Sequence, residues 1–186
     1  MLAVIVVCGC DAKTNVQLYE NPEFGISLEK PESWSHNFYE RSGSIVLEAK
    51  SGPRNGNSAR IEIFGYACVP QQFDDPREEL EANIERIGIL YNLDSVSVTQ
   101  EPEVRSIEDY EVAEATIMVP TISLPEDSVI NQLGNRKSGV FQIIDMLAIR
   151  DPSRNSVMVY VYRGNSEELN AEADAIVESI RFICAA

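Results

Sequence analysis

Residues Tyr19–Trp34, YENPEFGISLEKPESW, decide how the rest of the chain is read, since they form a turn, one strand and a stop sealed by the only tryptophan. Asn21-Pro22-Glu23 suits a tight turn: proline pre-sets its φ, and asparagine can bond its own backbone two residues on. Phe24, Ile26 and Leu28 alternate with Gly25, Ser27 and Glu29, the period of a half-buried strand. Pro31 cannot donate to a ladder and ends the run. Trp34 is thereby delivered to a strand end, where its ring can close one edge of a core.

On the N-terminal side, residues 1–10, MLAVIVVCGC, are apolar and uncharged and give way to the polar run DAKTNVQ. This run is too short to span a bilayer, which takes about 20 helical residues, and it matches the apolar core of a secretory signal. Val7-Cys8-Gly9-Cys10 resembles a bacterial lipobox, in which the cysteine after a small residue is lipidated and becomes the mature N-terminus. Cys10 is therefore the expected lipidation site and residues 1–15 the expected signal, truncated of its basic region, and tether. The expected location is extracytoplasmic, with membrane contact through the lipid anchor only. If the segment is not a signal, the alternative is a cytoplasmic adaptor.

The chain has 186 residues, enough for one domain with a sizeable core, while two domains would each be thin. Asp and Glu number 30 against 15 Lys and Arg, a formal net charge of -15. A field of that sign repels phosphate backbones, which argues against nucleic acid as a partner.

C-terminal to Trp34, a polar segment with His36 and Arg41 leads into Ile45, Leu47 and Ala49, one face of a second strand. The turn-rich SGPRNGNS follows, and then Ala59–Tyr66, alternating with Ile61 and Ile63 inward, which predicts a hairpin. Asp75-Pro76-Arg77-Glu78 starts a helix with an N-cap aspartate and proline at the first helical position. Leu80, Ile84, Ile87 and Tyr91 give it one apolar stripe, and Glu79 and Glu81 suit the positive end of its dipole. Ser95–Val104 predicts a short edge strand, and Tyr110–Val119 a longer one. Gly139–Arg150, GVFQIIDMLAIR, is apolar enough for a central strand covered on both faces. Asp151–Asn155 turns it back into a strand with Val157, Val159 and Val161 in phase. Asn165 with Glu168 predicts the cap of a last helix, whose face is Leu169, Ala173, Ile176 and Ile180, before a terminal strand Arg181–Cys184.

The order predicts an α+β fold with a largely antiparallel sheet and two main helices packed on it. YENPEFGISLEKPESW resembles the tyrosine, asparagine, glycine-aromatic, proline and tryptophan pattern that begins PsbP-like domains, and AIVESIRFI is similar to their closing helix and short aromatic strand. The resemblance covers about Val16 to Ile183 and assigns residues 16–186 to a PsbP-like domain. It implies an α/β/α sandwich around a twisted, largely antiparallel sheet. Its relatives include a photosystem extrinsic protein that assists calcium and chloride retention, a Ran-binding import factor, and many bacterial lipoproteins. Fold does not carry function across such a set, and no metal-binding or Ran-binding motif is present to transfer.

The chemistry-bearing residues are few. His36 is the only histidine, which excludes HExxH and multi-histidine sites, and Ser33 and Ser35 lack the setting of a nucleophile elbow. No phosphate-binding Gly-rich loop exists, and Cys8 and Cys10 leave a zinc site unfilled. Carboxylates in two runs, Asp74, Asp75, Glu78 and Glu79, and Glu101, Glu103, Glu108 and Asp109, could gather around calcium, but neither has calcium-loop spacing. Tyr66, Tyr160 and Tyr162 suit sheet-covering positions better than a ligand platform. Cys68 and Cys184 lie at the ends of apolar runs; in an oxidising compartment they are a candidate disulfide, and otherwise two buried thiols.

Thr121–Ser138, longer than a hairpin needs, is the expected recognition loop, with Leu124 among its apolar residues and Arg136 and Lys137 its local positive charge. The expected function is a non-enzymatic accessory or binding domain for an unidentified protein or small ligand, with no catalytic residue, no resident metal site and no cofactor, calcium being the one ion considered. The alternative from the enzyme class is a hydrolase using a carboxylate-bound metal.

Overall fold

The chain first doubles back at Asn21, whose Oδ1 accepts from the Phe24 amide at 2.9 Å while its carbonyl accepts from the Gly25 amide at 2.8 Å. In this computed structural model, which describes residues 15–50, 58–65, 67–68, 73–90, 96–120 and 141–184, the turn joins two strands and not one. β1 (Val16–Asn21) pairs antiparallel with β2 (Ile26–Pro31), with Val16 opposite Pro31 and Asn21 opposite Ile26. β1 escapes the periodicity reading because it is exposed over most of its length and so carries no buried alternation. Phe24, Ile26, Leu28 and Trp34 are all buried, as the alternation requires.

Past the Trp34 corner the chain enters a seven-stranded sheet. Its strands are β3 (Ser35–Tyr39), β4 (Ser44–Lys50), β5 (Ser58–Phe64), β6 (Ser97–Ile107), β7 (Tyr110–Pro120), β8 (Phe141–Arg150) and β9 (Ser156–Tyr162), in spatial order β3-β4-β5-β9-β8-β7-β6. Every pairing is antiparallel. α1 (Pro76–Leu90) lies between β5 and β6 in the chain, and α2 (Glu167–Glu178) follows β9. A last strand, β10 (Arg181–Phe182), returns to β2 and completes a three-stranded sheet of order β1-β2-β10.

The period of two splits the large sheet's side chains between two apolar layers. Ile45, Leu47, Ile61, Ile63, Val157, Val159 and Val161 point to one side, where they meet Phe24, Ile26, Leu28 and Trp34 and the α2 face of Leu169, Ala173, Ile176 and Val177. Ala113, Ala115, Ile117, Ile144, Met146 and Ala148 point to the other, against Leu80 and Ile87 of α1. The architecture is thus α+β in layers: α1, the large antiparallel sheet, then α2 with the small sheet. Strand β8 feeds both layers, as its nearly continuous apolar run requires.

Several local expectations change. β3 is a strand although its first residues, Ser35, His36 and Asn37, are polar and exposed: it is a sheet edge, paired only with β4 among the described residues. The edge strand β6 is 11 residues long and not short, and its pairing is interrupted by two register shifts between Val98 and Glu103. The α2 cap is Ser166, whose Oγ accepts from the Leu169 amide at 3.3 Å, and not Asn165. Asp75 caps α1 as expected, its Oδ1 accepting from the Glu78 amide at 3.0 Å. Glu79, however, does not stand in solvent as dipole support. It is 4% exposed, accepts from Ser156 Oγ at 2.7 Å and faces the equally buried Arg150.

Cys68 and Cys184 are joined in a disulfide, with Cα atoms 5.3 Å apart. The bridge sits on Gly25, whose φ is +88°. The Gly25 carbonyl accepts from the Ile183 amide at 2.9 Å, and the Phe24 carbonyl from the Ala67 amide at 3.0 Å. A Cβ at residue 25 would strike Cys68 Sγ, so glycine is required there both by φ and by the close approach.

Candidate functional site

α2 covers only part of its side of the large sheet. Along three neighbouring strands the same face changes from apolar to polar on leaving the core. On β7, Val112 gives way to Glu114 and Thr116; on β8, Ile149 and Leu147 to Asp145; and past β9, Val159 and Val161 to Arg163. The registers align these changes, with Thr116 opposite Asp145 and Asp145 opposite Val161. The result is a cleft of about 400 Å³ between the open sheet face and the C-terminal half of α2, which contributes Asp174, Val177 and Glu178.

Arg163 organises the charge in this cleft. Its Nε donates to Asp145 Oδ2, and its Nη2 donates to Asp174 Oδ1 at 2.8 Å, which ties the sheet to α2. Thr116 Oγ1 donates to the second oxygen of Asp145 at 2.8 Å. Partial burial opposes the Arg163 charge, but the hydrogen bonds it donates to Asp174 and Asp145, with their negative charges, outweigh it and push the guanidinium pKa above its ordinary value. Closer to the edge, Arg105 Nε donates to Glu114 Oε2 at 2.7 Å. Four lining carboxylates, Glu114, Asp145, Asp174 and Glu178, stand against two guanidinium groups, so the cleft is acidic on balance. Leu147 and Val161 supply an apolar floor.

Acid–base catalysis calls for groups whose pKa values are moved toward the working pH. Outside the cleft, two described carboxylates are moved in that direction. Burial raises Glu62, against the opposing pull of Arg60 and a hydrogen bond from Tyr162, and it raises Glu79, against Ser156 and Arg150. Both serve buried structural networks: Arg60 bridges Glu62 and Glu48, and Arg150 donates to the Phe73 carbonyl at 2.9 Å. His36 is on β3, at the opposite edge of the large sheet from β6. It packs its ring 4.6 Å from that of Tyr19, and burial together with the nearby Lys30 charge lowers its pKa.

The candidate residues from the sequence fall in other places. Cys10, Leu124, Arg136 and Lys137 lie outside the described residues, as does Tyr66. The first carboxylate run is dispersed: Asp74 pairs with Arg154 at 2.7 Å, Asp75 caps α1 and Glu79 is buried. In the second, Glu108 pairs with Arg181 at 2.8 Å. Among the described residues no three His, Cys, Asp or Glu side chains converge as metal ligands. Tyr160 and Tyr162 are half-buried on the α1 side of the sheet, as sheet-covering residues. Asp145 and Arg163 carried a signal that periodicity passes over, namely a charge set inside or at the end of an apolar strand.

No protein-family model matches the chain, and no curated protein matches it. Among solved structures it is similar to cyanobacterial PsbP (CyanoP) from Synechocystis sp. PCC 6803, at 10% identity and a TM-score of 0.56, covering 96% of this chain and 98% of that one. It is also similar to a crystal structure of a protein from Bacteroides thetaiotaomicron, at 9% identity and a TM-score of 0.53, covering 89% of this chain but only 48% of that one. At such identities the likeness is one of fold, and the fold is PsbP-like.

Proposed function

We propose that the chain is a non-enzymatic extracytoplasmic lipoprotein whose PsbP-like domain binds a partner through the Arg163 cleft. The observation that carries the reading is that the cleft's arginines are engaged with carboxylates from neighbouring elements. They form a fixed polar surface with an acidic excess and an apolar floor, the mixture that recognition sites use. Such a lining suits a segment of a partner that carries lysine or arginine beside an apolar side chain. The Cys68–Cys184 disulfide supports export, because such bonds persist in oxidising compartments. The proposed tether is lipid on Cys10, in the lipobox-like Val7–Cys10; among the described residues no helix is long and apolar enough to cross a membrane.

The two parts of the proposal are tested separately. Cys10→Ser should move the protein out of the membrane fraction and Cys8→Ser should not; fractionation that shows no change with Cys10→Ser removes the anchor. For the cleft, titration with a Lys- and Leu-containing hexapeptide, followed by NMR, should shift the amides of Thr116, Asp145 and Arg163. Glu114→Gln with Asp174→Asn should weaken the response, and so should raised salt. Shifts confined to other surfaces would place recognition outside the cleft.

A further inference from the structure

We propose that the β1 edge pairs antiparallel with the same strand of a second copy, joining two small sheets into one six-stranded sheet. The geometry of β1 leaves its even-numbered residues with outward backbone groups. The Asn15 carbonyl accepts from the Glu32 amide at 2.9 Å, so Asn15, Gln17, Tyr19 and Asn21 are the positions that bond to β2. Glu29, opposite Leu18, turns its amide the other way, to Ser179 Oγ at 2.8 Å. Val16, Leu18 and Glu20 therefore present three N–H and three C=O groups at an edge that no strand pairs with among the described residues.

Sheet edges that stay unpaired carry a device that prevents pairing. β6 has two register shifts, with Pro102 buried within the second and charges at Glu101, Glu103 and Arg105. β3 is five residues long and opens with three polar ones, and β10 has only two residues. β1 has six residues in continuous register, no proline and no lysine, and its Val16 and Leu18 side chains are 57% and 63% exposed.

The strand also fits itself. A two-fold axis at Leu18 sets Leu18 against Leu18 of the second copy and Val16 against its Glu20, which makes three hydrogen-bonded pairs. The two Glu20 carboxylates then fall at opposite ends, about 14 Å apart along the strand, beyond the screening length of about 8 Å at physiological salt. Six residues a side give an interface below the lower bound of the standard size, about 1,200 Å², so the association is weak and depends on concentration.

Sedimentation equilibrium on the full chain carrying Cys10→Ser, over a range of concentrations and salt, tests this. The expected result is a monomer–dimer equilibrium that salt strengthens, because each copy carries a net charge of -15. Leu18→Pro removes an outward N–H without touching the ladder to β2, so it should leave the melting temperature nearly unchanged while weakening association by roughly tenfold or more. Leu18→Lys, which sets like charges at the axis, gives the same result should the proline variant not fold. A chain that stays monomeric throughout overturns the proposal. So does association that survives both substitutions, which would place the contact elsewhere, for instance in the apolar residues 1–10.

Discussion

Trp34 shows how one side chain can hold two layers together. Its ring is 1% exposed in the core under α2, and its Nε1 donates to Glu172 Oε2 on that helix at 2.7 Å. Trp34→Ala should therefore cost about 3 to 5 kcal/mol, read by denaturant unfolding. Glu172→Ala, which removes only the acceptor, should cost about 1 kcal/mol. Glu79 is a different kind of residue, a buried carboxylate set to favour its protonated form. A folded pKa raised above the ordinary carboxylate value means that the native state holds the proton more tightly than the unfolded state does. Its contribution is then full at low pH and is lost as pH climbs from about 4.5 through the raised value. Glu79→Gln removes that titration, so stability measured from pH 4.5 upward should fall less steeply than in the parent. An identical slope would show that Glu79 ionises normally.

Helix starts were more legible in the sequence than sheet edges, and the elements show why. Asp75 and Pro76 announce α1 through local chemistry that needs no partner strand, and Asp75 accepts from two amides of the first turn. Asp75→Ala should cost about 1 kcal/mol, and so should Ser166→Ala at α2, whereas Asn165→Ala should change little. Equal losses at 165 and 166, measured by thermal unfolding, would contradict the Ser166 cap. The sequence does not choose between Asn165 and Ser166 because both are good capping residues and only the backbone decides between them. The central strand β8 is legible from its nearly continuous apolar run and β5 and β9 from their alternation; β1 and β3 are not, because an edge strand over water needs no apolar alternation. The cleft was the least legible of all. Glu114 and Asp145 come from two strands, Arg163 from just past a third and Asp174 from a helix, and only the antiparallel register brings them together.

At the scale of the molecule, the small sheet is fixed to the large one by Trp34, by the Gly25 junction and by the disulfide. The cysteines are 116 residues apart, so reducing the bond releases chain entropy in the unfolded state and should lower stability by about 4 to 5 kcal/mol. Cys68→Ser with Cys184→Ser should reproduce the loss, seen as a lower melting temperature. The bond also changes the connectivity of the chain. Both helices and β6 to β10 lie between the two cysteines, so this whole stretch is a covalent ring with β1 to β5 attached as a tail. A protease that cuts once anywhere in the ring opens it but frees no fragment. The nicked protein would migrate as a single species on a non-reducing gel and separate into two pieces only when thiol is added, whereas a cut in the tail would release a piece at once.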